Sequence, residues 1–358
     1  MGERVFLTGN EAIGHGALYA GCKHYFAYPI TPQNEIIEFF AKELPKRGGV
    51  FVQTESETST ANMLYGAAAT GVRAMTSSSS TGFSLMQEAI SAMVAAEVPC
   101  VLINVQRGGP GGGTTQTSQQ DYHQITKGGG HGDYHNIVLA PAYPQEAFDF
   151  VQLAFHLADT YRHPTMILSD ALLGQMREVV ETETRDFGPV PEKDWAVGSG
   201  LKDGERRLIF PGFVVGPRFR EYLTAVSQKY QRMEEQEVRY DARELEDAEI
   251  VLVSFGSTAR AALEALRLGR KEGRKVGMIR PITLWPFPSR IILETAERAR
   301  GFLVVEDNLG QMVDDVRAAA QGKAPVHHLG VLARHLPGPS GLILPHTIYE
   351  EVKRIDEN

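Results

Sequence analysis

The sequence contains only two cysteines, Cys22 and Cys100, among 358 residues. An iron–sulfur cluster needs about four cysteine thiolates, so this chain alone cannot ligate one. Both cysteines lie at the edges of apolar runs and they form no C-x-x-C pair, which favours two small packed residues in a reducing compartment. If the protein transfers electrons, the clusters must therefore lie on another chain.

The sequence also lacks a basic run, and its formal net charge is −8. A nucleic-acid or anionic-membrane partner is therefore not expected. No apolar stretch is long enough to cross a bilayer, and Glu3, Arg4 and Asn10 interrupt the N-terminal apolar run in a way that a signal peptide would not. We expect a cytoplasmic protein. The apolar fraction of 42% and the length suit a globular protein with two domains.

Short, mostly apolar strands alternate with helices in residues 1–185, which predicts a parallel sheet covered on both faces. The predicted strands are 4–8, 24–28, 50–53, 72–76, 100–105, 137–140 and 164–168, of which the last closes the sheet. The predicted helices are 11–20 with Asn10 as N-cap, 32–43, 61–70, 84–96 and 145–161.

Prolines and glycines interrupt residues 186–247, which end in a charged helix over 217–237. We interpret this region as a surface connector. Residues 248–358 predict a second α/β domain with strands at 249–255, 275–280, 302–306 and 326–330 and helices at 258–272, 288–299 and 310–320. The prolines around Trp285 and Phe287 predict a rigid packed turn.

Polar side chains follow two neighbouring predicted strands. Glu55 and Glu57 come after the strand 50–53, and the Ser/Thr run 77–82 comes after the next strand. Parallel strands end at one edge of their sheet, and ligands bind in the crevice at that edge. The sequence alone also allows Glu57 to be a first-turn carboxylate that stabilises a helix dipole, and the serines to be an ordinary helix start.

Two further segments are predicted to reach the same edge. In Tyr28-Pro29-Ile30-Thr31-Pro32, Thr31 is predicted as the N-cap and Pro32 as the first residue of a helix, where backbone N–H groups can hold a carboxylate. Arg107 follows the strand 100–105 and suits either bidentate carboxylate recognition or a structural salt bridge.

A long segment rich in glycine and threonine, 107–133, is typical of a functional loop, because it also carries Tyr122, His123 and His131. His131 and Asp133 are predicted to belong to an active-site or subunit-contact loop, with His131 as an acid–base group. His135 lies four residues after His131, a spacing that on a helix would suit a metal. The glycines around His131 argue against a helix, so a metal site there is not expected.

The run around Glu57, together with residues 28–32, resembles the α subunit of the 2-oxoacid:ferredoxin oxidoreductases. The resemblance covers nearly the whole chain and is greatest to the branched-chain, 2-oxoisovalerate type. It implies a pyrimidine-type thiamine-diphosphate-binding domain with a doubly wound parallel sheet, followed by a transketolase C-terminal-like α/β domain.

The resemblance also implies roles for single residues. Glu57, nine residues before Gly66, matches the glutamate that activates thiamine diphosphate by a hydrogen bond to N1′ of the aminopyrimidine. Glu55 is the alternative candidate for this role, but it does not lie nine residues before Gly66. Thr31 and Arg107 match residues that bind the 2-oxoacid. Ser80 and His131 are expected to contact the cofactor.

The chain lacks the Gly-Asp-Gly segment with which thiamine enzymes bind the diphosphate through Mg²⁺. We therefore expect a β subunit to supply the diphosphate and Mg²⁺ half of a shared site, and a ferredoxin-like subunit to carry [4Fe-4S] clusters. The implied reaction is oxidative decarboxylation of a 2-oxoacid to acyl-CoA and CO₂, with electrons passing to ferredoxin.

Alternatives remain open at this point. The substrate can be 2-oxoglutarate, pyruvate or phenylglyoxylate instead of a branched-chain oxoacid. The chain can also be half of a split transketolase or 1-deoxyxylulose-phosphate synthase, although the His and Arg clusters that bind sugar phosphates are not evident. A non-catalytic scaffold subunit is the third possibility.

Overall fold

The computed structural model describes residues 2–212, 216–332 and 342–357. Within these ranges the strands are β1 Glu3–Thr8, β2 His24–Ala27, β3 Val50–Gln53, β4 Ala74–Ser78, β5 Val101–Gln106, β6 Ile137–Leu139, β7 Thr165–Asp170, β8 Arg177–Thr182, β9 Tyr240–Arg243, β10 Ile250–Ser254, β11 Val276–Pro281, β12 Thr283–Trp285, β13 Gly301–Val305 and β14 Val326–Leu329.

The helices within the same ranges follow the strands in the alternation that the sequence predicts. They are α1 Gly9–Tyr19, α2 Asn34–Glu43, α3 Glu57–Ala69, α4 Ser80–Ala95, α5 Tyr122–Thr126, α6 Pro144–Tyr161, α7 Ala171–Gln175, α8 Val197–Asp203, α9 Pro217–Gln236, α10 Thr258–Lys271, α11 Ser289–Ala296, α12 Met312–Ala320 and α13 Pro345–Asp356. None of these helices is both long enough and apolar enough to cross a membrane.

The first sheet has the strand order β12-β6-β7-β5-β4-β2-β3 and is parallel except for β12. Strands β4, β5 and β7 are buried along their whole length, as expected for a sheet covered by helices. The second sheet has the order β14-β13-β10-β11-β9, in which only β9 is antiparallel. The predicted α/β fold is confirmed.

Strand β12 connects the two halves of the chain. It follows β11 in sequence but pairs with β6 at the edge of the first sheet, where Thr283 lies opposite Leu139. The prediction that residues 164–168 close the sheet is therefore wrong, because β7 lies between β5 and β6. The prolines around Trp285 predict a packed turn, and the first part of that region is instead a strand. The ion pair between Arg280 and Glu146, at 2.7 Å, holds the same junction.

Strand β1 does not join the large sheet. It forms an antiparallel ribbon with β8, which the sequence pattern did not reveal. The helix after β1 begins at Gly9, and the predicted N-cap is wrong. Thr8 caps α1 by accepting from the Glu11 N–H, and the Glu11 carboxylate accepts from the Thr8 N–H in a capping box. This frees the Asn10 amide for longer-range contacts.

The predicted cap at Thr31 is also wrong. Helix α2 begins at Asn34, and the Thr31–Pro32 peptide bond is cis. The Asn10 amide donates to the Pro32 carbonyl at 2.8 Å. This contact links α1 to the turn that precedes α2.

Candidate functional site

Four segments meet at the carboxyl ends of the central strands of the first sheet. Strands β5, β4, β2 and β3 are neighbours in that order and run parallel. The turn with Thr31 follows β2, Glu57 follows β3, Ser79 follows β4 and Arg107 follows β5. The crevice predicted from the sequence therefore forms at one edge of the sheet.

Glu57 is the buried carboxylate of this crevice. It is the first residue of α3, after the N-cap Ser56, and its side chain is only 6% exposed. No hydrogen bond or ion pair to the Glu57 carboxylate occurs within the described residues. The residue is buried, but its carboxylate oxygens are not fully enclosed, so the carboxylate has no protein partner there and stays accessible to a ligand.

Gly82 makes room for the Glu57 side chain. A Cβ added at Gly82 would lie 2.6 Å from Glu57 Oε1 and 2.8 Å from its Cγ. Gly82 itself is buried in the first turn of α4. The absence of a side chain at this position therefore determines where the carboxylate can lie, and it leaves a recess between the starts of α3 and α4.

Glu55 has a different environment, although it lies only two residues away. It is exposed, and its carboxylate accepts a hydrogen bond from the Ser59 hydroxyl. Hydrogen bonds from Ser59 and then Ser56 lower the pKa of Glu55. Of the two carboxylates that compete in the sequence, Glu57 is thus the one that enters the recess.

The structure brings Thr31 and Arg107 together. Arg107 Nη1 donates to the Thr31 carbonyl at 2.9 Å, and Nη2 donates to the Gly112 carbonyl at 3.2 Å and lies 3.4 Å from Thr81 Oγ1. Its Nε is buried without an acceptor. Among the described residues no carboxylate forms an ion pair with Arg107, so a structural salt bridge does not explain its position. The Thr31 side chain is exposed at the same opening.

Ser80 belongs to a buried hydrogen-bond network beneath Arg107. Its hydroxyl donates to Asp121 Oδ2 at 2.6 Å and accepts from the Arg107 N–H at 3.0 Å. Asn104 donates to the same Asp121 oxygen at 2.9 Å. The hydroxyl of Ser80 is therefore engaged within the protein, and a contact of Ser80 with the cofactor stays a prediction.

His131 is not brought into the crevice. It is exposed, and its carbonyl accepts from the Ser91 hydroxyl at 2.8 Å. Ser91 lies nine residues after Gly82 on α4, roughly 13 Å along the helix axis. A cofactor role for His131 stays a prediction. Within the described residues no cluster of three or more His, Cys, Asp or Glu side chains could hold a metal ion.

Sequence reasoning named the serine run but did not single out Ser78, whose hydroxyl lies next to the Gly82 position, as Glu57 Oε1 does. The hydroxyls of Ser78 and Ser79 are buried at the end of β4 and have no hydrogen-bond partner. The sequence pattern marks the serine run as polar but predicts the strand at 72–76 and the helix at 84–96. Strand β4 continues to Ser78 and α4 begins at Ser80, which turns these two side chains inward.

These features fit the aminopyrimidine half of thiamine diphosphate. That ring carries nitrogen atoms that donate and accept hydrogen bonds. The recess offers the Glu57 carboxylate and the Ser78 hydroxyl, which lie on either side of the space that Gly82 leaves open. The fit rests on a carboxylate without a protein partner and on a buried hydroxyl that has none among the described residues.

Comparisons with known proteins agree with this geometry. Residues 15–241 match the family described as pyruvate flavodoxin/ferredoxin oxidoreductase, thiamine-diphosphate-binding, and residues 248–337 match the pyruvate:ferredoxin oxidoreductase core domain II. The first match covers more than half of the chain. The chain belongs to the 2-oxoacid:ferredoxin oxidoreductase family. The family resemblance and the enzyme class predicted from the sequence are thereby confirmed.

Relatives in this family extend over most of the chain. The ketoisovalerate oxidoreductase subunit VorB of Methanothermobacter marburgensis is 47% identical over 88% of this chain and 89% of its own length. The 2-oxoglutarate synthase subunit KorA of Methanothermobacter thermautotrophicus is 37% identical over 96% of this chain and 98% of its own length.

Solved structures give the same fold. The 2-oxoglutarate:ferredoxin oxidoreductase of Magnetococcus marinus, solved with 2-oxoglutarate, coenzyme A and succinyl-CoA, has a TM-score of 0.88 at 26% identity, covering 99% of this chain and 65% of that chain. A split-gene transketolase, an inactive β4 tetramer, has a TM-score of 0.60 at 14% identity over 98% of both chains, which shows a shared fold alone.

Proposed function

We propose that the chain is the α subunit of a thiamine-diphosphate-dependent oxidoreductase that converts a branched-chain 2-oxoacid, CoA and oxidised ferredoxin to acyl-CoA, CO₂ and reduced ferredoxin. The single observation that carries the proposal is the buried residue Glu57 beside Gly82, whose carboxylate has no partner among the described residues. The preference for branched-chain substrates is supported by the 47% identity to a ketoisovalerate oxidoreductase subunit.

Glu57 would hold the aminopyrimidine ring of the cofactor. When bound, thiamine diphosphate supplies the carbon nucleophile that attacks an oxoacid and the electron sink that receives the electrons left after CO₂ departs. Burial of Glu57 excludes water from the contact between its carboxylate and N1′ of the ring. The carboxylate would accept a hydrogen bond from the protonated N1′, which would favour the reactive tautomer of the ring. Ser78 would supply a hydroxyl to the same ring.

Arg107 and Thr31 would hold the carboxylate of the substrate. The Arg107 guanidinium contacts only carbonyl and hydroxyl oxygens among the described residues, so it retains a net positive charge at the opening of the crevice. Arginine binds carboxylates with two parallel hydrogen bonds, which would orient the oxo carbon of the substrate. The exposed Thr31 hydroxyl lies beside it and can donate one more.

Partner subunits complete the proposed enzyme. A β subunit would hold the diphosphate and Mg²⁺, and a ferredoxin-like subunit would carry the [4Fe-4S] clusters. The two cysteines of this chain are buried, and burial raises the pKa of the Cys22 thiol to about 12, which suits a packed thiol better than a cluster ligand. A cytoplasmic location and CoA as acyl acceptor belong to the same proposal.

A second substrate class has its own support. Subunits of 2-oxoglutarate synthase are 37% identical to this chain over nearly its full length, and the solved relative contains 2-oxoglutarate. Pyruvate and phenylglyoxylate are further candidates. The described residues do not distinguish among these R groups, because the partner subunit would form the other wall of the crevice.

Dye reduction by the co-purified complex tests the proposal. Viologen reduction is measured with CoA and a panel of 2-oxoisovalerate, 2-oxoglutarate, pyruvate and phenylglyoxylate. We expect the highest kcat/KM with 2-oxoisovalerate. A highest value with 2-oxoglutarate would overturn the branched-chain preference, and no reduction with any oxoacid would overturn the proposed function as a whole.

The alternatives predict different results in the same assay. A split transketolase would transfer two-carbon units between sugar phosphates and would not reduce viologen with an oxoacid. A scaffold subunit would tolerate Glu57→Ala without loss of the activity of the complex. The presence of Glu57, Thr31 and Arg107 at one edge of the sheet argues against the scaffold.

A further inference from the structure

Residues 118–127 lie between the crevice and the second domain and contact both. On the side of the second domain, the Gln119 side chain donates to the Phe255 carbonyl at 2.8 Å, and Tyr122 donates to Asp315 at 2.5 Å. On the side of the crevice, Asp121 contacts the network beneath Arg107. The segment therefore connects second-domain residues with the proposed substrate arginine.

Asp121 organises the backbone of Arg107 through Ser80. The carboxylate is 9% exposed and accepts from Ser80 Oγ at 2.6 Å and from Asn104 Nδ2 at 2.9 Å, both at Oδ2. The Ser80 hydroxyl in turn contacts both the N–H and the carbonyl of Arg107, at 3.0 and 3.2 Å. Asn104 also accepts from the Ser80 N–H at 3.2 Å, which closes the network.

Gln311 of the second domain holds the segment on both sides of Asp121. Its Nε2 donates to the Gln120 carbonyl at 2.7 Å, and its Oε1 accepts from the His123 N–H at 2.8 Å. The His123 ring lies 3.1 Å from the Gln311 carbonyl. One amide side chain thus fixes the backbone before and after Asp121, across the junction between the two domains.

We propose that Asp121 is a positioning residue for Arg107, and that Gln311 of the second domain keeps Asp121 in place. The proposal rests on the proposed role of Arg107 in binding the substrate carboxylate. It gives the second domain a part in substrate binding although none of the second-domain residues in these contacts lies in the crevice. Among the described residues, Asp121 and Gln311 have no hydrogen bond to Glu57 or Thr31, and Asp121 reaches Arg107 through Ser80.

The position of Arg107 affects binding more than turnover. The substrate carboxylate leaves as CO₂, so an interaction with it contributes to binding and to the steps up to decarboxylation but not to later electron transfer or acyl transfer. A displaced Arg107 should therefore raise KM while kcat at saturating oxoacid changes little. Loss of folded protein would instead lower kcat and leave KM unchanged.

Variants of the assembled complex test the proposal, with KM and kcat for the best oxoacid measured by dye reduction. We expect Asp121→Ala and Gln311→Ala to raise KM about tenfold and to leave kcat within about threefold, the signature of lost substrate binding. Asp121→Asn should restore KM to within about threefold, because an amide oxygen can accept the bonds from Ser80 and Asn104.

Gln145 provides a matched control. Like Gln311, Gln145 binds backbone groups through its side-chain amide. From α6 it donates to the Glu181 carbonyl at 3.2 Å and accepts from the Glu181 N–H at 2.8 Å on β8. Gln145→Ala should leave KM unchanged. An unchanged KM in both Asp121→Ala and Gln311→Ala would overturn the proposal. If Asp121→Ala does not assemble, the KM of Gln311→Ala decides alone.

Arg107→Ala separates this proposal from the function on which it rests. If Arg107→Ala leaves KM unchanged, the proposed role of Arg107 is wrong. The positioning proposal, which rests on that role, is then wrong too. If Arg107→Ala raises KM while Asp121→Ala and Gln311→Ala do not, only the positioning proposal is wrong.

Discussion

At the scale of single residues, Gly82 sets the position of the Glu57 carboxylate. A methyl group at Gly82 would lie 2.6 Å from Glu57 Oε1, well inside van der Waals contact, while α4 around it is closely packed. The same methyl group would lie 2.1 Å from the Ser78 hydroxyl oxygen, so both Ser78 and Glu57 would have to move.

Gly82→Ala should therefore reduce dye reduction by the complex about tenfold or more, since it displaces a group whose catalytic effect is typically about 100-fold or more. Gly66→Ala is the matched control for thermal stability, because a Cβ at Gly66 in α3 meets nothing within 4 Å. We expect the control to keep or raise Tm, as alanine is the better helix former. Full activity in Gly82→Ala would show that Gly82 does not set the Glu57 geometry.

At the residue level, the family resemblance guided the choice between the two carboxylates. The register favours Glu57 over Glu55, and the structure buries Glu57 and exposes Glu55; the role of Glu57 as the catalytic carboxylate is still a prediction. Asp121 and Gln311 could not be found in this way. Gln311 contacts residues about 190 positions earlier in the chain, and one sequence contains no signal for a contact of that range.

At the scale of elements, the Glu306 side chain caps the start of helix α12. It is fully buried, and its two oxygens accept from the N–H groups of Gln311, Met312 and Val313 at 2.8–3.1 Å. These are the donors that a helix start leaves without partners, and a carboxylate also favours the positive end of the helix dipole. Helix α12 and the Gln311 contact with the first domain therefore depend on one side chain.

Glu306→Ala should lower the free energy of unfolding by about 2–4 kcal/mol, because three buried N–H groups lose their acceptor. The measurement is chemical denaturation of the variant and the parent protein. Glu294→Gln on α11 is the control, since Glu294 is exposed and pairs only with the exposed Arg290. We expect a change within about 0.5 kcal/mol there. Equal effects in the two variants would contradict this role of Glu306.

Most elements of the two sheets could be predicted from apolar runs and turn residues, but their ends shifted. Strand β4 ends at Ser78, two residues later than predicted, which decides which serines face Glu57. Strand β12 was missed because the prolines near Trp285 indicate a turn, and its partner β6 lies in the other domain. A strand that pairs across domains is stabilised by tertiary contacts that local patterns do not contain.

At the scale of the whole molecule, two acidic residues meet where the domains join. Asp170 is the last residue of β7 in the first sheet, and Asp307 follows β13 of the second. Asp170 accepts from the N–H groups of Leu173 and Ser257 at 2.9 and 3.3 Å. Burial, and then the charge of Asp170, raise the pKa of Asp307 to about 7. The junction therefore carries a carboxyl group that titrates near neutral pH.

The raised pKa makes the stability of the protein depend on pH. Folded Asp307 keeps its proton at pH values where the unfolded chain has lost it, so its contribution is full below its ordinary value of 3.8 and is lost as pH rises through about 7. Asp307→Asn should therefore raise Tm at pH 8 by more than at pH 5. The difference in stabilisation should be on the order of 1–4 kcal/mol, because each tenfold change in proton affinity corresponds to about 1.4 kcal/mol.

Asp314→Asn serves as the control for this comparison. Asp314 lies on the exposed side of α12 and pairs with the exposed Arg317. Its replacement should change Tm equally at pH 5 and pH 8. If Asp307→Asn also changes Tm equally at the two pH values, the carboxyl group at the domain junction does not titrate in this range.

The measurement that tests the central claim most directly compares Glu57→Gln with Glu55→Gln in the assembled complex. Dye reduction is recorded with saturating thiamine diphosphate, CoA and the best oxoacid, and assembly is checked by size-exclusion chromatography. We predict a loss of about 100-fold or more for Glu57→Gln and a loss of no more than about twofold for Glu55→Gln. An intact Glu57→Gln complex that retains about half of the parent activity would contradict the claim that this buried carboxylate activates the cofactor.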